Sequence, residues 1–248
     1  MAKVKKLIKH ILKNTTPSRS LNLISAKNYR NLADKLTGEY NTPRVLVVGG
    51  RISGKGINEL VDNSAIHVLE TDIQFGPRTQ LLCDAHALPF MNGSFDAVVV
   101  QAVLEHVFDP AQCVKEISRV VAEHGWVYAE TPFMQQVHDA PYDFQRFTYI
   151  GHRRLFRDFT EIESGSVAGP GTALCWAYLS FLSSFSDHKY VKAALLRFAL
   201  FTGFWIKYFD YFLINKKGSW EGASAYYFLG RKSNIPLSDR ELITSFRH

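Results

Sequence analysis

The sequence predicts an α/β fold built on a doubly wound, mostly parallel sheet, and three observations carry that expectation. Four apolar, β-branched runs, "RVLVV" (44–48), "AIHVLETD" (65–72), "FDAVVVQA" (95–102) and "GWVYAETP" (125–132), alternate with segments of helical length. The runs lack polar alternation, as strands covered on both faces by crossover helices should. A glycine-bearing turn, "VVGGRISGKG" (47–56), follows the first run, at the strand end where such sheets bind ligands. With 248 residues there is room for one such domain with additions, and not for two.

Each element has its own local reason. In "AKVKKLIKHILK" (2–13), Val4, Leu7, Ile8, Ile11 and Leu12 share one helical face and Lys3, Lys5, Lys6, Lys9 and Lys13 the other, an amphipathic helix. It lacks the apolar centre of a signal peptide, so a cytoplasmic protein is expected. A second helical segment around Ala26–Leu36 ends at "NTPR", which divides an N-terminal helical extension (1–40) from the main domain (41–248). The first strand is bounded by Pro43 and Gly49. The helix before the fourth strand has Asp109 to cap it, Pro110 in its first turn and Gly125 at its end.

Beyond Gly151, "TALCWAYLSFLSSF" (172–185) and "VKAALLRFALFTGFWIKYFDYFLI" (191–214) read as helices inserted before a last strand, "ASAYYFLGRK" (223–232). The first is too short to span a bilayer, and the second carries Lys192, Arg197, Lys207 and Asp210. At about 100° per residue, Lys192, Gly203, Lys207 and Asp210 fall on one stripe of a single long helix.

Composition narrows the classes. Apolar residues at 46% and aromatic ones at 13% exclude wholesale disorder, and a net charge of +6 is a modest excess that favours acidic partners without requiring nucleic acid; no nucleic-acid partner is expected. Cys83, Cys113 and Cys175 form neither a C-x-x-C pair nor a disulfide framework and read as small buried apolar residues.

The glycine turn admits three ligands. Gly49 to Lys55 spells G-x-x-x-x-G-K, but a phosphate-binding P-loop needs Ser or Thr next, to ligate magnesium, and that position is Gly56. A dinucleotide fingerprint needs G-x-G-x-x-G, and neither glycine cluster has that spacing, which weakens an NAD reading without removing it. An adenosine ligand whose ribose needs a carboxylate remains compatible, with Asp72 at the second strand's end and Glu70 in reserve.

The segment "DAHALPFMNGSFDAVVVQAVLEHVFDPAQCVKEISRVV" (84–121) resembles the class I S-adenosylmethionine-dependent methyltransferases, specifically the type-11 branch, with several motifs in register over about residues 44–132. The resemblance implies a Rossmann-like sheet and S-adenosylmethionine as cofactor. It further implies that Gly49 and Gly50 let the backbone approach the methionine and ribose, that Asp72 accepts from the ribose hydroxyls, that Asp84 and the Ala85 amide meet the adenine, and that Gln101 borders the transferred methyl. Arg51 stands where relatives commonly have glycine, and "AEHGW" replaces the usual turn before the fourth strand.

The stretch "HDAPYDFQRFT" (138–148), directly after the last core strand, resembles an H-x-x-P-x-D-x-x-R-x-T segment of type-11 relatives and is expected to face the acceptor. Displacement at a sulfonium carbon needs alignment and, for a hydroxyl acceptor, a base; His138 or Asp143 is expected to supply it. Arg146 is expected to hold an anionic group or to pair with Asp143 and pin the loop. No metal is expected, because His138 and Asp143 lack a third ligand, and Glu105 and His106 in "LEHV" are given no catalytic role.

The implied function is methyl transfer to a small molecule or glycan, possibly lipid-linked. The alternatives are an inactive methyltransferase-like module at a membrane surface and an NAD-dependent oxidoreductase. The basic helix and the 191–214 segment suit either peripheral contact with the inner membrane surface or burial against the domain or a second subunit, as in a homodimer.

Overall fold

A computed structural model describes residues 17–245; the basic helix expected at 2–13 lies outside the described residues. Seven strands form one sheet: β1 (Arg44–Val48), β2 (His67–Asp72), β3 (Leu81–Leu82), β4 (Phe95–Gln101), β5 (Val121–Pro132), β6 (Phe159–Ala168) and β7 (Ala225–Lys232). Their order is β3-β2-β1-β4-β5-β7-β6. β1 to β5 pair in parallel, with Val45 opposite Val68 on one side and Ala97 on the other. β7 runs antiparallel between β5 and β6. The expected strands are all present. β3 and β6 were not among them: β3 has two residues, and β6 ("FTEIESGSVA") mixes Ser, Gly and Glu into the sheet edge.

The two faces of the sheet explain the unbroken apolar runs. Leu46, Val48, Val98, Val100, Val127 and Ala129 pack with Cys113, Val114 and Ile117 of helix α3, while Val45, Val47, Ala97, Val99 and Tyr128 pack with Tyr29, Leu32 and Leu36 of helix α1. Here α1 is Ser25–Glu39, α2 is Asn58–Val61 and α3 is Pro110–Val120. Alternate residues of these strands therefore enter different apolar cores, and Glu70 and Glu130, polar side chains buried within the strands, are held by hydrogen-bonded partners.

Asp109 caps α3, accepting from the Gln112 N–H at 2.9 Å, with Pro110 at the first position. The expectation that Gly125 ends this helix is corrected. α3 stops at Val120, and His124 takes the left-handed conformation, φ 59°. Gly125 is required for space instead: a Cβ there would lie 2.9 Å from the Asp96 carbonyl oxygen.

Helix α4 (Tyr149–Leu155) precedes β6, and α5 (Pro170–Ser183) and α6 (Lys189–Gly203) follow it as the insertion before β7. The single long helix expected over 191–214 is also corrected. α6 ends at Gly203, a 3₁₀ turn spans Ile206–Phe209, and a short helical turn covers Asp210–Leu213. Glycine is among the weakest helix formers, and here a Cβ would stand 2.6 Å from the Tyr178 ring. The expected polar stripe is thereby split: Lys192 is exposed, whereas Lys207 and Asp210 are buried. Among the described residues no helix is long and apolar enough to cross a membrane.

Candidate functional site

A cavity of about 800 Å³ lies over the carboxyl ends of β1, β2, β4 and β5, within the range of roughly 300–1,000 Å³ usual for small-molecule sites. Gly49, Asp72, Asp84, Ala85 and Gln101 all line it. So do Glu105, His106, Glu130 and His138.

The turn after β1 is folded back onto β2, with the Gly49 and Gly50 N–H groups both donating to the Thr71 carbonyl at 2.8 Å. Gly49 sits at φ +79°, and a Cβ there would stand 2.2 Å from Val103 Cγ2. Only glycine meets both conditions. Gly50 is constrained by space alone, because its Cβ would fall 2.8 Å from that of Glu70, and it lies outside the lining of the large cavity.

Asp72 Oδ2 accepts from the Arg51 N–H at 3.2 Å and Oδ1 from the Gln74 N–H at 2.9 Å. Each oxygen keeps a lone pair for a ligand hydroxyl. Glu70, the reserve, is buried and gripped at both oxygens by Arg78, at 2.5 and 2.7 Å. It does not line the large cavity, so the strand-end carboxylate presented there is Asp72. Arg51 also lines the cavity, passing over Gly76 and donating to Gln74 Oε1 at 2.7 Å.

Asp84 is held by a residue that sequence reasoning passed over. The Asp109 N–H donates to His86 Nε2 at 3.1 Å, which fixes the proton on Nδ1, 2.6 Å from Asp84 Oδ1. The His86 N–H donates to the same oxygen at 2.9 Å, and this bond first, against a smaller opposing effect of burial, keeps the carboxyl below its usual range and ionised. Ala85 is buried beside it.

Gln101 is pinned by Glu130. Its Nε2 donates to Glu130 Oε2 at 2.8 Å and to the Lys55 carbonyl at 3.1 Å, while its Oε1 is buried with no partner among the described residues. Glu130 Oε1 also accepts from Ser25 Oγ at 2.5 Å and the Tyr128 hydroxyl at 2.6 Å. Burial raises the Glu130 pKa, and these donors oppose the rise. The available signal was an acidic residue inside an apolar strand, a position costly unless the group is bonded.

Of the three expected catalytic residues, His138 alone lines the cavity. The Asp143 side chain is 1% exposed, bonded through both oxygens to the Arg146 guanidinium and, at 2.7 Å, to the His138 N–H. The Arg146 bonds hold its pKa down at about 2. Arg146 also donates to the Gln135 carbonyl at 3.0 Å. The pair thus sits behind the loop and fixes its shape, which is the pinning arrangement and not a proton-accepting one.

The loop is clamped to the turn after β4. His106 Nδ1 bonds the Tyr142 carbonyl, the Phe144 N–H donates to the Glu105 carbonyl at 2.9 Å, and the Phe108 and Phe144 rings lie 4.8 Å apart. Glu105 is fully buried, neither carboxylate oxygen accepts from another described residue, and burial pushes its pKa up to about 8. The insertion closes this end: Thr172 lines the cavity, and the Trp176 ring lies 5.9 Å from that of His138.

Residues 47–129 match the family model Methyltransf_11, a methyltransferase domain. Ubiquinone biosynthesis O-methyltransferases from three strains of Xanthomonas oryzae pv. oryzae are 36% identical over 73 residues, which is 29% of this chain. The match spans about 30% of the length of those relatives. Among solved structures, a Galdieria sulphuraria protein assigned as a sarcosine dimethylglycine methyltransferase superposes with a TM-score of 0.54 at 15% identity, covering 92% of this chain and 98% of that one. A protein of Bacillus halodurans C-125 assigned as a methyltransferase gives 0.51 at 12% identity, covering 84% and 99%. At such identities the likeness is one of fold, and it matches the Rossmann-like sheet described above.

Proposed function

We propose that this chain, which belongs through residues 47–129 to the type-11, class I S-adenosylmethionine-dependent methyltransferases, moves the sulfonium methyl to a small molecule or glycan held in the strand-end cavity. The observation that carries the reading is that Gly49, Asp72, Asp84, Ala85 and Gln101 all reach one cavity from four separate segments. S-adenosylmethionine supplies an electrophilic methyl carbon when bound. Asp72 takes the ribose hydroxyls, ionised Asp84 the adenine amino group, and the unpartnered Gln101 Oε1 the methionine ammonium. Gly49 and Gly50 leave room for that backbone approach.

The acceptor lies against the wall made by Glu105, His106 and His138, and gives up its proton there. Asp143 and Arg146 act as positioning residues for that wall. As the acceptor oxygen bonds to the methyl carbon, the carbon–sulfur bond breaks and its electron pair returns to sulfur, discharging the sulfonium. The relative's O-methyl acceptor and this polar wall both favour a hydroxyl.

Calorimetry with S-adenosylmethionine tests the cofactor site. Asp72→Ala and Asp84→Ala are each expected to weaken binding by about 10- to 100-fold, the worth of a charge-assisted hydrogen bond. Unchanged affinity in both would overturn the assignment.

A lipid-linked acceptor reached from a membrane surface is favoured by the insertion, where Phe181, Phe185, Phe198, Trp205, Phe209 and Phe212 are each at least half exposed. Salt-sensitive flotation with anionic vesicles is the expected result. Dimeric protein that floats at neither low nor high salt would assign the aromatic face to a second subunit instead.

A further inference from the structure

We propose that Glu105, His106 and His138 form a binding site for a divalent transition-metal ion in the acceptor wall of the cavity. One oxygen or nitrogen from each residue can be chosen so that all three lie within 4.8 Å of one another. His106 Nε2 is 3.7 Å and His138 Nε2 4.0 Å from Glu105 Oε1. Ligands bound at about 2.1 Å in a tetrahedral site stand roughly 3.4 Å apart, so the two edges to Glu105 lie within about 0.6 Å of that spacing, and the third, between the imidazoles, closes from no more than 4.8 Å as the ion draws them in.

The tautomers point the same way. His106 Nδ1 bonds the Tyr142 carbonyl, so that nitrogen carries the proton and the Nε2 lone pair faces Glu105. His138 Nδ1 lies 3.2 Å from the Gln136 carbonyl and 3.2 Å from Arg146 Nη2. Arg146 already donates to Asp143 and to Gln136, so the assignment that satisfies every group puts the His138 proton on Nδ1, toward the carbonyl, and its lone pair on Nε2. Metal-binding imidazoles are oriented in this way, with the distal nitrogen donating to a backbone carbonyl.

Glu105 supplies the independent observation. It is fully buried and lines the cavity, and neither of its oxygens accepts from another described residue, an arrangement that is costly until a cation or a donor meets it. Two imidazoles and one carboxylate select zinc-like or other first-row divalent ions over magnesium and calcium, which prefer all-oxygen ligands. Three protein ligands leave a position open toward the cavity, as catalytic sites do.

The role of the ion in catalysis rests on the methyl-transfer reading; its binding does not. A hydroxyl acceptor in the open position becomes more acidic, loses its proton to water, and the resulting oxygen anion attacks the methyl carbon as the carbon–sulfur bond breaks toward sulfur.

The test uses the full chain, freed of any affinity tag, stripped with a chelator and desalted. Titration with Co²⁺, followed by its visible ligand-field absorption and by calorimetry, is expected to reach one ion per chain, and millimolar Mg²⁺ should not compete. Glu105→Gln and His138→Ala should each weaken Co²⁺ binding at least tenfold, since even outer-shell partners of metal ligands contribute about 10- to 100-fold. The exposed control His188→Ala should leave it unchanged. Glu105→Gln preserves side-chain shape, and His138 lies on a surface loop, so at least one variant stays folded by its melting curve.

Absence of a bound ion, or equal affinity in folded Glu105→Gln or His138→Ala protein, would overturn the site. S-adenosylmethionine titrated into the same samples separates the two readings. Cofactor binding without Co²⁺ sinks only the metal site, whereas Co²⁺ binding without cofactor sinks only the methyltransferase reading.

Discussion

Replacing Asp210 with alanine is expected to destabilise the protein by about 3–5 kcal/mol, the range for removing one side of a buried, fully bonded charged group. Asp210 is fully buried. Its Oδ1 accepts from the Gly171 N–H at 2.7 Å, and its Oδ2 from the Gly169 N–H at 3.1 Å, the Thr172 N–H at 2.9 Å and the Thr172 hydroxyl at 2.7 Å. These are the first N–H groups of α5, which has no capping side chain of its own, so a carboxylate some forty residues downstream (210 against 169–172) caps the helix and meets its positive end. A Cβ on Gly169 would lie 2.5 Å from Asp210 Oδ1, which explains the glycine.

Alanine would leave three N–H groups and a hydroxyl without partners. In thermal unfolding the shift should be roughly 6–20 °C for a chain of this size. Asp210→Asn, which keeps one oxygen acceptor, should lose about half as much. Because α5 carries Thr172 and Trp176 to the acceptor wall, methyl transfer should fall along with stability, while S-adenosylmethionine affinity, set by the β1, β2 and β4 strand ends, is retained. A loss below about 1 kcal/mol in Asp210→Ala would show that water replaces the carboxylate and that the insertion is not held by this cap.

What could be read in advance and what could not divides along physical lines. β1, β2, β4 and β5 were legible because a strand buried on both faces needs a run of apolar residues, and such a run stands out from any helical pattern. α3 was legible from Asp109 and Pro110, which act within one turn. That Gly49 and Asp72 line the strand-end cavity was legible from their places at the ends of the first two strands, and the place of Asp84 there from the family resemblance. The cavity wall proposed for the acceptor was not, since Glu105 and His138 lie far apart in sequence and only the docking of the loop on the β4 turn brings them together.

Asp143 and Arg146 show a narrower limit. Their spacing of three predicts that they meet, but carries nothing about which side of the loop they face. Lys207 and Asp210 show another: on a helical projection they look like part of a solvent stripe with Lys192. Lys207 instead donates to the Ser18 carbonyl, as Asp210 caps α5. The break at Gly203 turns both inward, and a projection that assumes one straight helix cannot contain it.

Acid should destabilise the fold through His152, and the effect is separable from the other titrations. His152 is 2% exposed, its Nε2 has no partner among the described residues, and its ring packs against Phe156 with centroids 5.3 Å apart. Burial first, and then the neighbouring Arg153 charge, push its pKa from 6.5 down to about 3. The folded protein therefore refuses a proton that the unfolded chain accepts near its ordinary pKa. A depressed folded pKa gives stability that is present above the unfolded value and is lost as pH falls toward the folded one, here between about 6.5 and 3.

At pH 4.5, some two units below the unfolded pKa, the loss amounts to about 2–3 kcal/mol. Glu105 and Glu130 act in the opposite sense, because their pKa values are raised and their folded forms gain relative stability as pH falls. The wild-type curve alone mixes these with further shifted groups such as Asp84 and Asp143, so the comparison is with His152→Leu, which fills similar space and has nothing to titrate. In urea unfolding, the stability of wild type minus that of His152→Leu should drop by about 2–3 kcal/mol between pH 7 and pH 4.5. Parallel curves over that interval would mean that His152 gains a proton without leaving its site, through water or through movement of α4 away from Phe156.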